Sequence, residues 1–180
     1  MKRLLHALVI GLSIGYPFLI YWGLQRYDAQ VLLPLLFILL ALRWLTGRQK
    51  SDRLIVIGSV AVVLMVTLVW DTTISLKFYP MVVNLGFLVV FAGSLIFPPT
   101  VIERFARIQN SELGPSAISY TRKVTWVWSL FFVANGSIAA ATALWGSEEI
   151  WVLYNGFIAY VLIAILFAGE WLLRRRVTGL

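Results

Sequence analysis

The chain has no cysteine and one histidine, His6. The first absence excludes disulfides, thiol chemistry and Cys-ligated metal; the second excludes any site that needs a pair of imidazoles. Charge is also scarce: 13% of the 180 residues are Asp, Glu, Lys or Arg, against about 25% in soluble domains. There is no G-x-S-x-G elbow, P-loop, G-x-G-x-x-G or H-E-x-x-H sequence. No aspartate-rich run is present to hold magnesium and a diphosphate, and no carboxylate follows His6 at four or five residues. The expectation is a chain with no catalytic set, no metal site and no cofactor.

What the chain does have is apolar sequence, at 61% of its residues. A soluble domain of this length cannot hide that much apolar surface, so the expected fold class is all-α, a polytopic membrane helix bundle. The spacing of the apolar runs predicts six transmembrane helices, over 4–24, 29–45, 54–70, 79–97, 116–145 and 151–173. They form a single integral membrane domain over 1–180. The first run is too long for a signal peptide and lacks a small-residue cleavage site, so it is read as a retained helix. Pro17 is expected to kink it, and Gly11-x-x-x-Gly15 offers a close approach for another helix. The second run, 17 residues of about 1.5 Å each, is near the lower limit for a span. Asp71 to Lys77 and Gly146 to Ile150 are read as connections, and Val83, Gly86, Val90 and Gly93 as a packing groove.

Thr100-x-x-Glu103 has capping-box spacing, and Val101, Ile102, Phe105 and Ile108 make an apolar side opposite Glu103, Arg104 and Arg107. This predicts a short interfacial helix over 101–109.

The net charge of +7 does not point to nucleic acid, because the basic residues flank apolar runs instead of forming a stripe. With six spans, Lys2, Arg3, Arg43, Arg48, Lys50, Arg53, Arg104, Arg107, Arg122, Lys123 and Arg174 to Arg176 fall on one side. Only Arg26 and Lys77 fall on the other. The positive-inside rule then puts both termini in the cytoplasm.

One stretch stands out for its polar face. Thr121, Thr125, Trp128, Phe132, Asn135 and Ala139 recur at 4-3-4-3-4 spacing and share a helix face that is expected to look into the bundle. Asn84, Asn135 and Asn155 are expected to bond between helices, each worth about 0.6–2 kcal/mol. Glu170 lies inside a span but four residues before Arg174, the spacing of a helix-end ion pair. Trp22, Trp44, Trp70, Trp145, Trp151 and Trp171 are read as an interfacial belt.

Three motifs carry a family resemblance. They are Tyr79-Pro80 with Val83-Asn84, Pro98-Pro99 with Glu103-Arg104-Ala106-Arg107, and Tyr120 through Asn135. The chain resembles a family of bacterial membrane proteins often encoded near fatty-acid-synthase-like enzymes that make aryl polyene lipids. More distantly, over almost its whole length, it is similar to the septation protein A family. The resemblance implies a bacterial inner-membrane location and a role in envelope biogenesis; it supplies no catalytic residues. The expected function is a non-enzymatic scaffold or assembly partner, in contact with membrane lipids and with envelope-synthesis or aryl polyene biosynthesis proteins. The alternative is a carrier or enzyme for a lipid or aryl polyene intermediate at the cytoplasmic interface. Its ligand-binding candidates are Tyr79, Asn84, Glu103, Arg104, Arg107, Tyr120, Arg122, Thr125, Trp128 and Asn135. A solute transporter would need a buried charge pair and an internal repeat, and neither is evident.

Because the chain lacks cysteine, single cysteines report its topology cleanly. Cysteine at Gln25 or Ser147 should react with an impermeant maleimide on intact cells, and cysteine at Gln49 or Ser111 only after permeabilisation. Reaction of the first pair from opposite sides would rule out the even-numbered topology.

Overall fold

The computed structural model describes residues 2–46, 56–57, 60, 72–109 and 112–178, with backbone alone for 2–10, 43, 46, 109 and 175–178. Every element among these residues is helical. In order they are α1 (Lys2–Leu24), α2 (Ala29–Thr46), α3 (Thr72–Lys77), α4 (Tyr79–Ile96), α5 (Val101–Gln109), α6 (Pro115–Trp145) and α7 (Glu148–Leu153). A π-helical turn (Tyr154–Ile158) then leads into α8 (Ala159–Thr178).

The helices expected over 4–24, 29–45, 79–97, 101–109 and 116–145 are present within two residues of those bounds. The span expected over 54–70 lies outside the described residues apart from Val56, Ile57 and Val60, which are helical. Among the described residues three helices are long and apolar enough to cross a membrane: Tyr79–Ile96, Pro115–Trp145 and Glu148–Arg174. α2 adds a shorter apolar stretch, Ala29–Leu42. Of the apolar 18-residue window in each long helix, only 22%, 39% and 28% is buried inside the protein. Faces of Leu, Val, Ile and Phe therefore point outward, which suits the lipid surroundings of a membrane protein.

Local sequence explains the helix starts. Pro80 and Pro115 sit in the first turns of α4 and α6, where a missing N–H has no intrahelical partner to lose. Pro17 lies within α1, which continues as helix on both sides of it. α6 ends at Gly146, whose N–H bonds Thr142 O; a Cβ there would meet that oxygen at 2.6 Å. The acidic stretch after it is not a loop. Ser147 caps α7 by accepting from Ile150 N–H, and Glu148 and Glu149 occupy the first turn, where the helix dipole favours negative charge.

α4 and α6 pack along each other, α1 pairs with α2, and α1 also meets α3, α7 and the π turn. The stretch after Asp71 is likewise helical instead of a loose connection. The C-terminal carbonyls of α3 would be orphaned in an apolar setting. Tyr16 OH donates to Leu76 O at 3.0 Å and Trp151 Nε1 donates to Lys77 O at 3.0 Å. Lys77 also pairs with Glu148 across 3.5 Å. Trp151 is therefore no belt residue: it is 0% exposed and central to the core of Tyr16, Ile20, Leu36, Leu40 and Leu76. Trp22, Trp44, Trp145 and Trp171 are exposed, as a belt requires, and Trp70 lies outside the described residues. Among the described residues, a Cβ at Gly11, Gly15 or Gly93 would touch nothing within 4 Å.

Trp151→Phe should cost about 1–2 kcal/mol for the lost hydrogen bond, and Trp151→Ala about 3–5 kcal/mol for the cavity as well. Trp145→Phe should be neutral. Denaturation in mixed detergent micelles measures all three.

Candidate functional site

The polar face of α6 is buried along its length. Thr121, Thr125, Trp128, Phe132, Asn135 and Ala139 all point into the protein. Its hydroxyls bond locally: Thr121 to Ile118 O, Thr125 to Thr121 O and Ser129 to Thr125 O, at 2.8–2.9 Å. Such back-bonds satisfy hydroxyls in an apolar helix without a partner helix. Thr125, fully buried and bonded in this way, is a packing residue.

Asn135 behaves differently. Its Nδ2 donates to Asn84 Oδ1 at 2.9 Å, and its Oδ1 accepts from Tyr154 OH at 2.9 Å. Asn84 Nδ2 donates in turn to Pro80 O at 2.8 Å. One polar chain thus joins α4, α6 and the π turn. Gly136 permits it, because a Cβ there would stand 3.1 Å from Asn84 Cβ. The π turn supplies the third partner. Ala159 N–H reaches back five residues to Tyr154 O, and Tyr154, Asn155 and Gly156 are buried in succession. π turns of this kind recur at functional sites. Asn155 bonds Thr142 Oγ1 at 3.1 Å and Trp151 O at 2.9 Å.

Beside this chain lies a cavity of about 300 Å³ between α1, α4, α6 and α8. Tyr79, Asn84, Phe132, Asn135 and Asn155 line it together with Ser13, Pro17 and Phe87. Phe87 and Phe132 stack with centroids 5.2 Å apart, and Tyr79 OH donates to Ser13 Oγ at 3.4 Å.

A second, larger hollow of about 830 Å³ lies towards the other end of α6, between α5, α6 and α8. Ile102, Phe105, Trp128, Phe167 and Trp171 make apolar walls, with Trp128 and Phe167 in ring contact at 4.6 Å. Tyr120, Glu112, Glu170 and Arg174 provide its polar edge. Tyr120 OH donates to Glu170 O at 3.3 Å, and the expected helix-end pair forms between Arg174 and Glu170 at 3.8 Å.

The ten sequence candidates thus divide. Tyr79, Asn84 and Asn135 line the first cavity, and Tyr120 and Trp128 the second. Glu103, Arg104, Arg107, Arg122 and Thr125 line neither. Half of the capping box forms: Thr100 Oγ1 accepts from Glu103 N–H at 3.3 Å, while the Glu103 carboxylate bonds Arg107 at 2.7 Å. α5 is turned differently from expectation. Glu103 is buried, covered by Arg107, while Phe105 and Ile108 are exposed beside Arg104 and Arg107. Ile102 and Glu103 turn toward the bundle instead. Arg104 Nε donates to Pro99 O, and Arg122 is exposed. Tyr154 went unnoticed in the sequence, although a tyrosine hydroxyl within an apolar run, three residues after Trp151, implies a buried partner.

In comparisons with known proteins, no family model, curated protein or solved structure matches the chain.

A double-mutant cycle on Asn84→Leu and Asn135→Leu should give a coupling of about 0.6–1.7 kcal/mol, the range for hydrogen bonds between membrane helices. Additive effects would show that the 2.9 Å bridge contributes nothing net.

Proposed function

We propose that the protein spans the bacterial inner membrane six times, with both termini in the cytoplasm, and supports envelope biogenesis without catalysing a reaction itself. The charge asymmetry along the sequence supports the topology, and the resemblance of Tyr120 through Asn135 and the two proline-led motifs supports the role. Between scaffold and carrier, the hollow bounded by α5, α6 and α8 favours a carrier of a lipid or polyene intermediate. Its apolar walls suit a hydrocarbon chain. Arg174 stands at its edge beside Glu170 and Glu112, and Arg104 and Arg107 are exposed on the bordering helix, Arg107 paired with Glu103. Arg122 and Lys123 are exposed on α6 nearby. Guanidinium and ammonium groups at a membrane surface attract anionic heads and give phosphate or carboxylate a hydrogen-bonding partner. The polar groups lining the mid-bundle cavity among the described residues are hydroxyls and amides, suited to binding and orientation.

Native mass spectrometry of the protein released from its own membrane tests this reading. An anionic amphiphile should co-purify, and Ala168→Trp, which fills the hollow, should remove it. The triple variant Arg104→Ala, Arg107→Ala, Arg122→Ala should weaken retention by about tenfold or more, at roughly 1 kcal/mol per basic group near the surface. Unchanged lipid retention in both variants, with specific protein partners recovered by crosslinking, would restore the scaffold.

A further inference from the structure

The mid-bundle cavity shares no lining residue with the hollow at the basic end, so the following does not depend on a lipid being held there. Hydrogen bonds around this cavity can be accounted for group by group. A side-chain amide has two N–H donors and a carbonyl acceptor. Asn84 Nδ2 uses one donor on Pro80 O, and Asn135 Nδ2 uses one on Asn84 Oδ1, which leaves one N–H on each. Asn155 is the reverse. Its Nδ2 donates to both Trp151 O and Thr142 Oγ1, while its Oδ1 accepts nothing from the protein. The orientations of Asn84 and Asn155 follow from their partners, since a backbone carbonyl only accepts. No enclosed side-chain nitrogen or oxygen among the described residues lacks a partner. Asn155 Oδ1 therefore faces open space, although the residue is only 4% exposed, and the space Asn155 lines is this cavity.

Two spare donors and one spare acceptor complement a hydroxyl group, which has two lone pairs and one O–H. Among the described residues no charged side chain lines the cavity, so an ionised ligand would lose its hydration with no counter-charge from them in return. The mouth carries Ile14 and Phe87, 48% and 45% exposed on the outer apolar surface of the bundle. A ligand that enters there comes from the hydrocarbon phase.

We infer that this cavity binds the hydroxyl end of an uncharged, lipid-soluble alcohol. The hydroxyl accepts from Asn84 and Asn135 and donates to Asn155 Oδ1. Its hydrocarbon leaves between Ile14 and Phe87.

The test uses the full chain in bicelles with a long-chain primary alcohol carrying a diazirine and an alkyne tag. Crosslinks should map to peptides containing Ile14, Phe87 or Ile163. The unlabelled alcohol should displace the probe about tenfold better than its methyl ether, which lacks the donor, and better still than the alkane. Ala159→Leu fills the cavity while keeping every polar group, and should abolish labelling. Asn155→Leu should erase the preference for alcohol over ether. Ala168→Trp, in the other hollow, should leave labelling intact. Equal displacement by alcohol, ether and alkane would overturn the inference, as would labelling that survives Ala159→Leu or an absence of adducts at these residues.

Discussion

An amide in the middle of an apolar helix has to find its partners inside the protein, because hydrocarbon offers none. Asn135 meets that requirement through Asn84 on one side and Tyr154 on the other. Much of the bundle follows from this. α4 must lie close enough to α6 for two short side chains to touch, and glycine at 136 suits that approach, since a Cβ there would crowd Asn84 Cβ at 3.1 Å. The last long helix must bring a tyrosine hydroxyl to the same depth, and its wider turn at 154–158 presents Tyr154 and Asn155 inward together. A one-residue slip of any of these helices would leave several buried polar groups without partners, each costing about 1–3 kcal/mol. The network therefore fixes register in an interior where apolar side chains alone discriminate poorly.

A second polar constraint acts at the end of the bundle that holds Lys77 and Glu148. There the demand comes from backbone: α3 stops with carbonyls turned into the protein, and Tyr16 and Trp151 supply the donors. Both donors have large apolar bodies, so they fill the core and satisfy the backbone at once. This explains why one tryptophan of the apparent belt is withdrawn from it. At the basic end charge is handled differently. Glu103 is buried only because Arg107 covers it, and Glu170 only approaches the interior, with Arg174 one turn further on. Paired charge sits at the ends of the bundle and neutral polar groups in its middle, the order that desolvation cost imposes.

Helix positions were legible because their signals are local. Apolar run length, prolines in first turns and the capping threonine placed α1, α2, α4, α5 and α6 within two residues. The inward face from Thr121 to Ala139 was legible for the same reason, since helical spacing alone groups it. What could not be read was pairwise. Nothing local says that Trp151 reaches Lys77 O, that Thr125 bonds its own helix, or which partner each of the expected interhelical asparagines finds. α5 shows the limit most clearly. The apolar set expected there is split by the fold: Ile102 turns inward with the Arg107-covered Glu103, while Phe105 and Ile108 are exposed beside Arg104 and Arg107. The candidate site was accordingly drawn as one cluster, where the fold makes two cavities.

Those cavities lie about one helical turn apart on α6, with Phe132 lining one and Trp128 the other. The two rings are in contact, 5.8 Å between centroids, and Phe91 packs against both. An aromatic partition of this kind keeps the arginine-edged hollow from merging with the neutral one. The separation has chemical meaning. A charged head placed beside Asn84 and Asn135 would be desolvated without compensation, whereas beside Arg174 it meets both charge and water. A neutral hydrogen-bonding group among the amides would give up no hydrated charge. The polar face of α6 is thus continuous in sequence but divided in space by Trp128 and Phe132, with charged groups edging one cavity and neutral amides the other.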